Sequence, residues 1–171
     1  MPRRTTLDSI NESLAEIVPH GSLRFVEEIR NFDLKKRTLK ATLKVTKKHC
    51  DGHYPGQPIF PGLLSAEALV QAGSVLLYLL KPARYRRKSP VLVAMNGLQF
   101  KEAMRPGDLL WLEVKLTRLR WSSAQFMGRI YIYRERKIGR EAVSDADRLT
   151  AAIIESWSIS FLTKTDPKRE N

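Results

Sequence analysis

The sequence predicts an α+β protein, with a long, strongly curved antiparallel sheet wrapped around one central buried helix. Three observations lead to that architecture. Residues 63–80 are apolar on nearly every side (Leu63, Leu64, Ala66, Leu69, Val70, Val75, Leu76, Leu77, Leu80 among them), and a helix apolar all round is a buried one. The segments before and after it alternate apolar and polar residues with the period of strands. At 171 residues and 43% apolar content, the chain is expected to fold as one domain over 1–171 with a real core.

Each element follows in order. Thr6 or Asp8 can cap a short amphipathic helix with Leu7, Ile10, Leu14 and Ile17 on one face. Residues 23–32 and 37–46 read as a hairpin around the polar turn 33–36. The central helix comes next, and Lys81-Pro82 stops it. Residues 90–100, 109–120 and 124–134 read as long strands, with turns at 105–108 and 121–123. Residues 134–149 read as an insertion, 151–162 as the closing strand and 164–171 as a loose charged tail. A sheet cannot shield every face of the central helix, which points to a homodimer or a trimer of dimers.

The polar residues of that helix are not scattered. Glu67, Gln71, Ser74 and Tyr78 follow at steps of four, three and four, which draws one stripe down one face. A buried carboxylate is costly unless paired, hydrogen-bonded or protonated. A structural hydrogen bond to the backbone or to Gln71 would account for Glu67. The loop that feeds the helix suggests more. It reads His53-Tyr54-Pro55-Gly56-Gln57-Pro58-Ile59-Phe60-Pro61-Gly62, a histidine on a rigid Pro/Gly segment fourteen residues before the carboxyl. One group that titrates near neutrality, beside one carboxyl whose pKa burial should raise, is the equipment of general acid–base chemistry.

The run GHYPGQPIFPGLLSAEALVQAG resembles the signature of the 3-hydroxyacyl-acyl-carrier-protein dehydratases of type II fatty acid synthesis, which are hotdog-fold enzymes. Their pattern is a Gly-His-Phe-Pro-Gly loop, then Pro-x-x-Pro-Gly, then a helix reading Glu-Ala-x-x-Gln. Ile17-Val18-Pro19-His20 before Phe25-Val26-Glu27-Glu28-Ile29 is similar to the family's opening into its first strand. Leu98-Gln99-Phe100-Lys101 before Arg105-Pro106-Gly107-Asp108 is similar to its Phe-Lys and Pro-Gly-Asp segment. The likeness covers roughly residues 14–134 and the last strand. Tyr54 stands where the family has Phe, Gly21-Ser22 where an Arg and an aromatic are commoner, and 134–149 has no counterpart.

The resemblance implies a hotdog fold and a site in which His53 takes the proton beside the thioester carbonyl while Glu67 protonates the departing hydroxyl. It implies that the two come from opposite subunits. It also assigns the carbonyl of Ile59 to orienting His53 and Gln71 to holding the carboxyl of Glu67. The N–H of Gly62, at the positive end of the helix, is where an enolate oxygen would be held. No metal or organic cofactor is implied. The partner implied is the acyl carrier protein, with its pantetheine-linked substrate.

Other readings of the same residues were weighed. His49-Cys50-Asp51-Gly52-His53 has spacing that can ligate a metal, but no further ligand cluster accompanies it. His20 reads as structural. Ser65 and Ser74 lack the second histidine and acid of a nucleophilic triad. Trp111, Trp121 and Trp157 read as core or interface residues in strand-like segments. Thirty basic against eighteen acidic residues leave a net charge of +12, crowded in 30–48, 81–88 and 134–140. Much of it reads as solvated surface. Arg84, Arg86, Arg87 and Lys88, just past the helix of Glu67, form a candidate docking surface for an acidic carrier protein. A nucleic-acid function has charge but no recognition motif to support it.

A single cysteine, Cys50, excludes intrachain disulfides and suits a reducing, cytoplasmic setting. The basic N-terminus has no apolar segment behind it, so no signal peptide is expected. Residues 63–80, with Glu67 and Gln71 within them, read as a core helix rather than a membrane span. Three functions therefore stand: a carrier-protein dehydratase, a related hotdog hydratase or thioesterase acting on coenzyme A thioesters, and a non-catalytic hotdog that binds acyl chains.

Overall fold

The computed structural model describes residues 6–19, 21–85, 88–133 and 148–163. Its first helix, α1 (Leu7–Ile17), starts at Thr6, whose hydroxyl accepts from the N–H of Ser9 at 3.3 Å while Thr6 N–H donates to Ser9 Oγ at 3.1 Å. This reciprocal cap satisfies two donors that a helix start leaves free. The apolar face of α1 buries Ile10 and Leu14. Its Asn11 clasps the backbone of Ile29 on both sides, the N–H donating to Asn11 Oδ1 at 2.7 Å and the carbonyl accepting from Nδ2 at 3.2 Å. The ladder of the first strand slips between Ile29 and Asn31, and Asn11 satisfies the groups there.

Among the described residues, seven strands form one antiparallel sheet: β1 (Glu28–Asp33), β2 (Thr38–Lys44), β3 (Lys88–Asn96), β4 (Gln99–Phe100), β5 (Leu109–Leu119), β6 (Ser123–Tyr133) and β7 (Leu149–Thr163). Their order is β1-β2-β5-β6-β7-β3, with β4 also paired to β7. The Asp33 carboxylate ties the β1–β2 turn by accepting from the N–H groups of Lys35 and Lys36, each at 2.9 Å.

The central helix, α2 (Gly62–Leu80), lies against this sheet with Ala66, Leu69, Val70, Val75, Leu76 and Leu77 buried. Each fully buried leucine contributes about 1.5–3 kcal/mol. By length and composition α2 could cross a membrane, but 67% of an 18-residue window of it is buried inside the protein, as a core helix is. The sheet fits around α2 because small residues leave room for one large ring. Trp157 is fully buried, stacked on Phe126 with centroids 5.3 Å apart. A Cβ on Gly128 would stand 2.9 Å from the Trp157 indole, and one on Gly73 would stand 3.4 Å from it.

Several expectations need correction. The first strand begins at Glu28 rather than residue 23, because Gly21–Leu23 is a 3-10 turn. Its backbone serves the helix instead of the sheet. The strand expected over 90–100 is broken into β3 and β4 by Gly97, whose φ of +64° is a left-handed conformation. Pro82 ends α2 but opens a further short helix, α3 (Pro82–Tyr85). Trp121 lies in the β5–β6 turn and is 82% exposed, so it is no core residue. Of the supposed insertion, Arg148 precedes β7 and Leu149 belongs to it, while 134–147 lie outside the described residues, as do 164–171.

Candidate active site

His53 lies on the loop between a 3-10 turn, Lys47–Cys50, and α2. The loop is tightened by His53 N–H donating to Cys50 O at 3.1 Å and Gln57 N–H to Tyr54 O at 3.0 Å. Gly52 and Gly56 turn at φ +76° and +83°, and Tyr54, a non-glycine, at +51°. The loop is anchored by Phe60, whose N–H donates to Met104 O at 2.8 Å. Its buried ring packs against Phe25 and His49, with centroids 5.8 Å away in each case.

The His53 ring is fixed by one contact that also sets its chemistry. Nδ1 lies 2.9 Å from the carbonyl oxygen of Ile59. A carbonyl can only accept, so Nδ1 carries the hydrogen and Nε2 of the neutral ring holds the free lone pair. The Tyr54 ring meets the imidazole at 63°, with centroids 4.4 Å apart.

Glu67 sits on the second turn of α2 and is half-buried. Its Oε1 accepts from Gln71 Nε2 at 3.0 Å. Gln71 is buried and fully engaged: Nε2 also donates to Leu23 O at 2.8 Å, and its Oε1 accepts from Phe25 N–H at 2.9 Å. The segment 23–25 thus fixes the amide that fixes the carboxyl. The polar stripe is otherwise the less covered side of α2, since Glu67, Ser74 and Tyr78 are all half-buried. The complete burial expected for Glu67 is not supplied within one chain.

Gly62 begins α2 after Pro61, which offers no side-chain cap. The first N–H groups of a helix have no partner within it. The Phe100 ring lies over this glycine, so that a Cβ there would come within 2.7 Å of it. Phe100 is 48% exposed. Phe100 and the backbone of Leu23 and Phe25 are the parts of this site that the sequence does not place there. A helix glycine next to a loop with a large exposed ring nearby was the available signal.

Within one chain the predicted residues form two halves. His53 meets Ile59, and Glu67 meets Gln71, but no hydrogen bond or ion pair joins His53 to Glu67. Of the candidate docking cluster, Arg84 is engaged within the fold. The Arg84 guanidinium donates to the carbonyls of Arg120 and Trp121 and lies 4.6 Å from the Trp121 ring centroid. It braces α3 against the β5–β6 turn. The Lys88 ammonium lies 6.0 Å from the Phe161 ring centroid. Arg86, Arg87 and His20 lie outside the described residues. His49, whose spacing from His53 could suit a metal, caps the 3-10 turn by accepting from Thr46 N–H at 3.2 Å. Among the described residues no three metal-ligating side chains gather.

An antiparallel sheet curled around one buried helix, with a histidine loop leading into it, defines a hotdog-fold protein. Solved structures share that fold. One is the dehydratase heterocomplex ApeI:P of Xenorhabdus doucetiae, at TM-score 0.60 and 14% identity over 91% of this chain and 92% of that one. Another is a thioesterase of Haemophilus influenzae, at TM-score 0.62 and 14% identity over 96% of each chain. The chain belongs to the FabA-like family, whose domain matches residues 18–143. Among curated relatives, the 3-hydroxyacyl-[acyl-carrier-protein] dehydratase FabZ of Clostridium acetobutylicum is 33% identical over 111 residues, covering 64% of this chain and 77% of that protein. The FabZ of Thermomicrobium roseum is 35% identical over 118 residues, covering 68% and 78%.

Proposed function

We infer that this protein is a 3-hydroxyacyl-[acyl-carrier-protein] dehydratase, which eliminates water from a 3-hydroxyacyl thioester to leave the trans-2-enoyl thioester. The family supports the reaction, and the contact between His53 Nδ1 and Ile59 O carries the mechanism. It leaves Nε2 as the base that takes a proton from the carbon beside the thioester carbonyl. The enolate oxygen that forms is held by the N–H of Gly62 at the positive end of α2. Glu67 hands its proton to the C3 hydroxyl, which leaves as water. Because Gln71 occupies Oε1 of Glu67 as a donor, the transferable proton belongs on Oε2.

His53 and Glu67 have separate tethers in one chain, so the working site takes the histidine from one copy and the carboxyl from another. Two features support a homodimer, alone or as part of a trimer of dimers. The half-open side of α2 carries the polar stripe. The edge strand β3 leaves Val91, Leu92 and Val93 exposed, Val93 at 65%, and an uncovered apolar edge of this kind is a ready pairing surface. The carrier protein is the macromolecular partner, and a reducing cytoplasm suits the single buried Cys50.

Incubation with a 3-hydroxyacyl carrier-protein thioester and its coenzyme A counterpart, following enoyl formation on each, tests the function. The carrier-bound substrate should be preferred. His53→Ala should lose about 10²–10⁴-fold in turnover. Glu67→Gln should keep the fold and abolish elimination, since shape survives while the proton does not. Wild-type turnover in either variant, or equal use of coenzyme A thioesters with release of free acid, would replace this reading with the hydrolytic or non-catalytic one.

A further inference from the structure

Two hairpin turns meet at one end of the sheet. β2 runs antiparallel to β5, with Thr38 opposite Lys115, and the Leu116 N–H donates to Arg37 O at 3.0 Å. The β1–β2 turn therefore stands beside the last residues of β5 and the β5–β6 turn. Each turn holds one apolar side chain in solvent, Leu34 at 38% exposure and Trp121 at 82%. Around them the segments 33–37 and 115–123 supply Lys35, Lys36, Arg37, Lys115, Arg118 and Arg120 against Asp33 alone. The Asp33 carboxylate already accepts from the N–H groups of Lys35 and Lys36, and Lys36 Nζ lies 3.9 Å from it.

Trp121 is presented on a fixed backbone. Arg120 N–H donates to Ser123 O at 2.8 Å, Ser160 Oγ donates to Ser122 O at 3.1 Å, and Arg84 holds the carbonyls of Arg120 and Trp121. Little ordering cost remains when such a side chain meets a partner. Turns ordinarily favour Gly, Asn, Asp and Ser, so the fold alone does not call for an exposed indole there. Next to it, Arg118, Arg120 and Ser123 line an open cavity of about 230 Å³ with Ala124, Gln125 and Ser158. No carboxylate lines that cavity, and among the described residues neither guanidinium has an ion-pair partner. Two guanidiniums beside hydroxyl and amide donors suit a phosphate.

We propose that this end of the sheet docks on an anionic phospholipid surface, with Trp121 and Leu34 entering the headgroup layer and the Arg118–Arg120 cavity taking a lipid phosphate. Indole rings favour the membrane–water interface, and cations are drawn to an anionic leaflet. A nucleic acid would answer the same charge, but Leu34 at the second turn offers it nothing to stack on or hydrogen-bond. The surplus of +12 adds attraction at long range. Docking of this kind is weak and reversible, and it is independent of the reaction at His53 and Glu67.

Co-sedimentation of the full chain with vesicles tests it at physiological ionic strength, with phosphatidylcholine alone and with an equal mixture of phosphatidylcholine and phosphatidylglycerol. Wild-type protein should bind the mixed vesicles and not the neutral ones. Arg118→Gln with Arg120→Gln should weaken binding about 25-fold, from about fivefold for each charge at the surface. Lys47→Gln with Lys48→Gln removes the same charge from the exposed 3-10 turn beyond the other end of β2. Screening over that distance should keep its effect below about threefold. Trp121→Ala should weaken binding about tenfold or more. Leu34→Ser, which leaves the Arg84–Trp121 contact in place, should weaken it about threefold. No binding to the mixed vesicles, equal losses from the two charge pairs, or indifference to both apolar substitutions overturns the proposal. So does release from the vesicles by millimolar inorganic phosphate, which would make the cavity a site for a soluble anion, or tighter binding to single-stranded RNA than to the mixed vesicles. The dehydratase reading has its own assay and stands or falls separately.

Discussion

Gln71 and Glu67 are joined by a hydrogen bond of 3.0 Å, and the same amide is pinned to the backbone of Leu23 and Phe25 at 2.8 and 2.9 Å. Gln71 therefore acts through Glu67, aiming its carboxyl, while closing off two backbone groups. Gln71→Ala would strand the Phe25 N–H and the Leu23 carbonyl, each at about 1–3 kcal/mol, and free the carboxyl to rotate. A lower melting temperature is expected, together with a fall in kcat that is larger than any rise in KM. Melting curves and steady-state kinetics measure both. A lower melting temperature with unchanged kcat would mean that Gln71 serves the fold alone.

Gly62 and Phe100 make a second, steric prediction. Alanine favours helices over glycine, so Gly62→Ala should not weaken α2 itself. Its methyl group would stand 2.7 Å from the Phe100 ring and displace it from the mouth of the helix. Turnover should fall with little change in melting temperature. Adding Phe100→Ala should restore part of the turnover if the clash is the cause.

Trp157 tests the packing of sheet on helix. A Cβ at position 128 meets the indole at 2.9 Å and the rigid backbone oxygen of Glu113 at 3.0 Å. At position 73 the nearest contact is 3.3 Å, to the Phe126 ring. Overpacking of a tight core costs about 1–3 kcal/mol, so Gly128→Ala should lower the denaturation midpoint clearly more than Gly73→Ala does. Urea unfolding of the two variants decides it.

Cys50 carries the pH dependence. Burial, and next the Asp51 carboxylate, raise its thiol above the ordinary 9.0. The folded state thus favours the protonated thiol. The stability it contributes is present below the unfolded value and is lost as pH rises through it to the folded one. Thiol alkylation at pH 9 should be slow for native protein and fast in denaturant. Asp51→Asn should speed the native reaction only modestly, since burial is the larger cause.

The architecture was legible because its signals are local and redundant. A helix apolar on every side must be enclosed, and the alternating strands around it offer only a sheet for the purpose. His53 and Glu67 stood out as candidates for the opposite reason, being polar residues at positions where folding alone prefers something else. What escaped were relationships between distant segments. Nothing in the run Leu23-Arg24-Phe25 announces that its backbone will serve Gln71, 46 residues beyond Phe25, and so it read as the start of a strand. The basic cluster after α2 was counted as charge, whereas Arg84 spends its guanidinium on two carbonyls and an indole. Composition records the sign of a side chain and not what it leans on.

Tyr54 holds a left-handed backbone, φ +51°, right next to His53. An L-residue gives up about 1–2 kcal/mol in that conformation, and Tyr54→Gly would recover much of it. A library screened for heat resistance alone would therefore drift to that substitution and be rewarded with a higher melting point. It would also strip the ring from the imidazole and loosen the loop, so the survivors should be hardier and slower, whereas Tyr54→Phe should stay as fast as the parent. Here robustness and speed pull on the same residue in opposite directions.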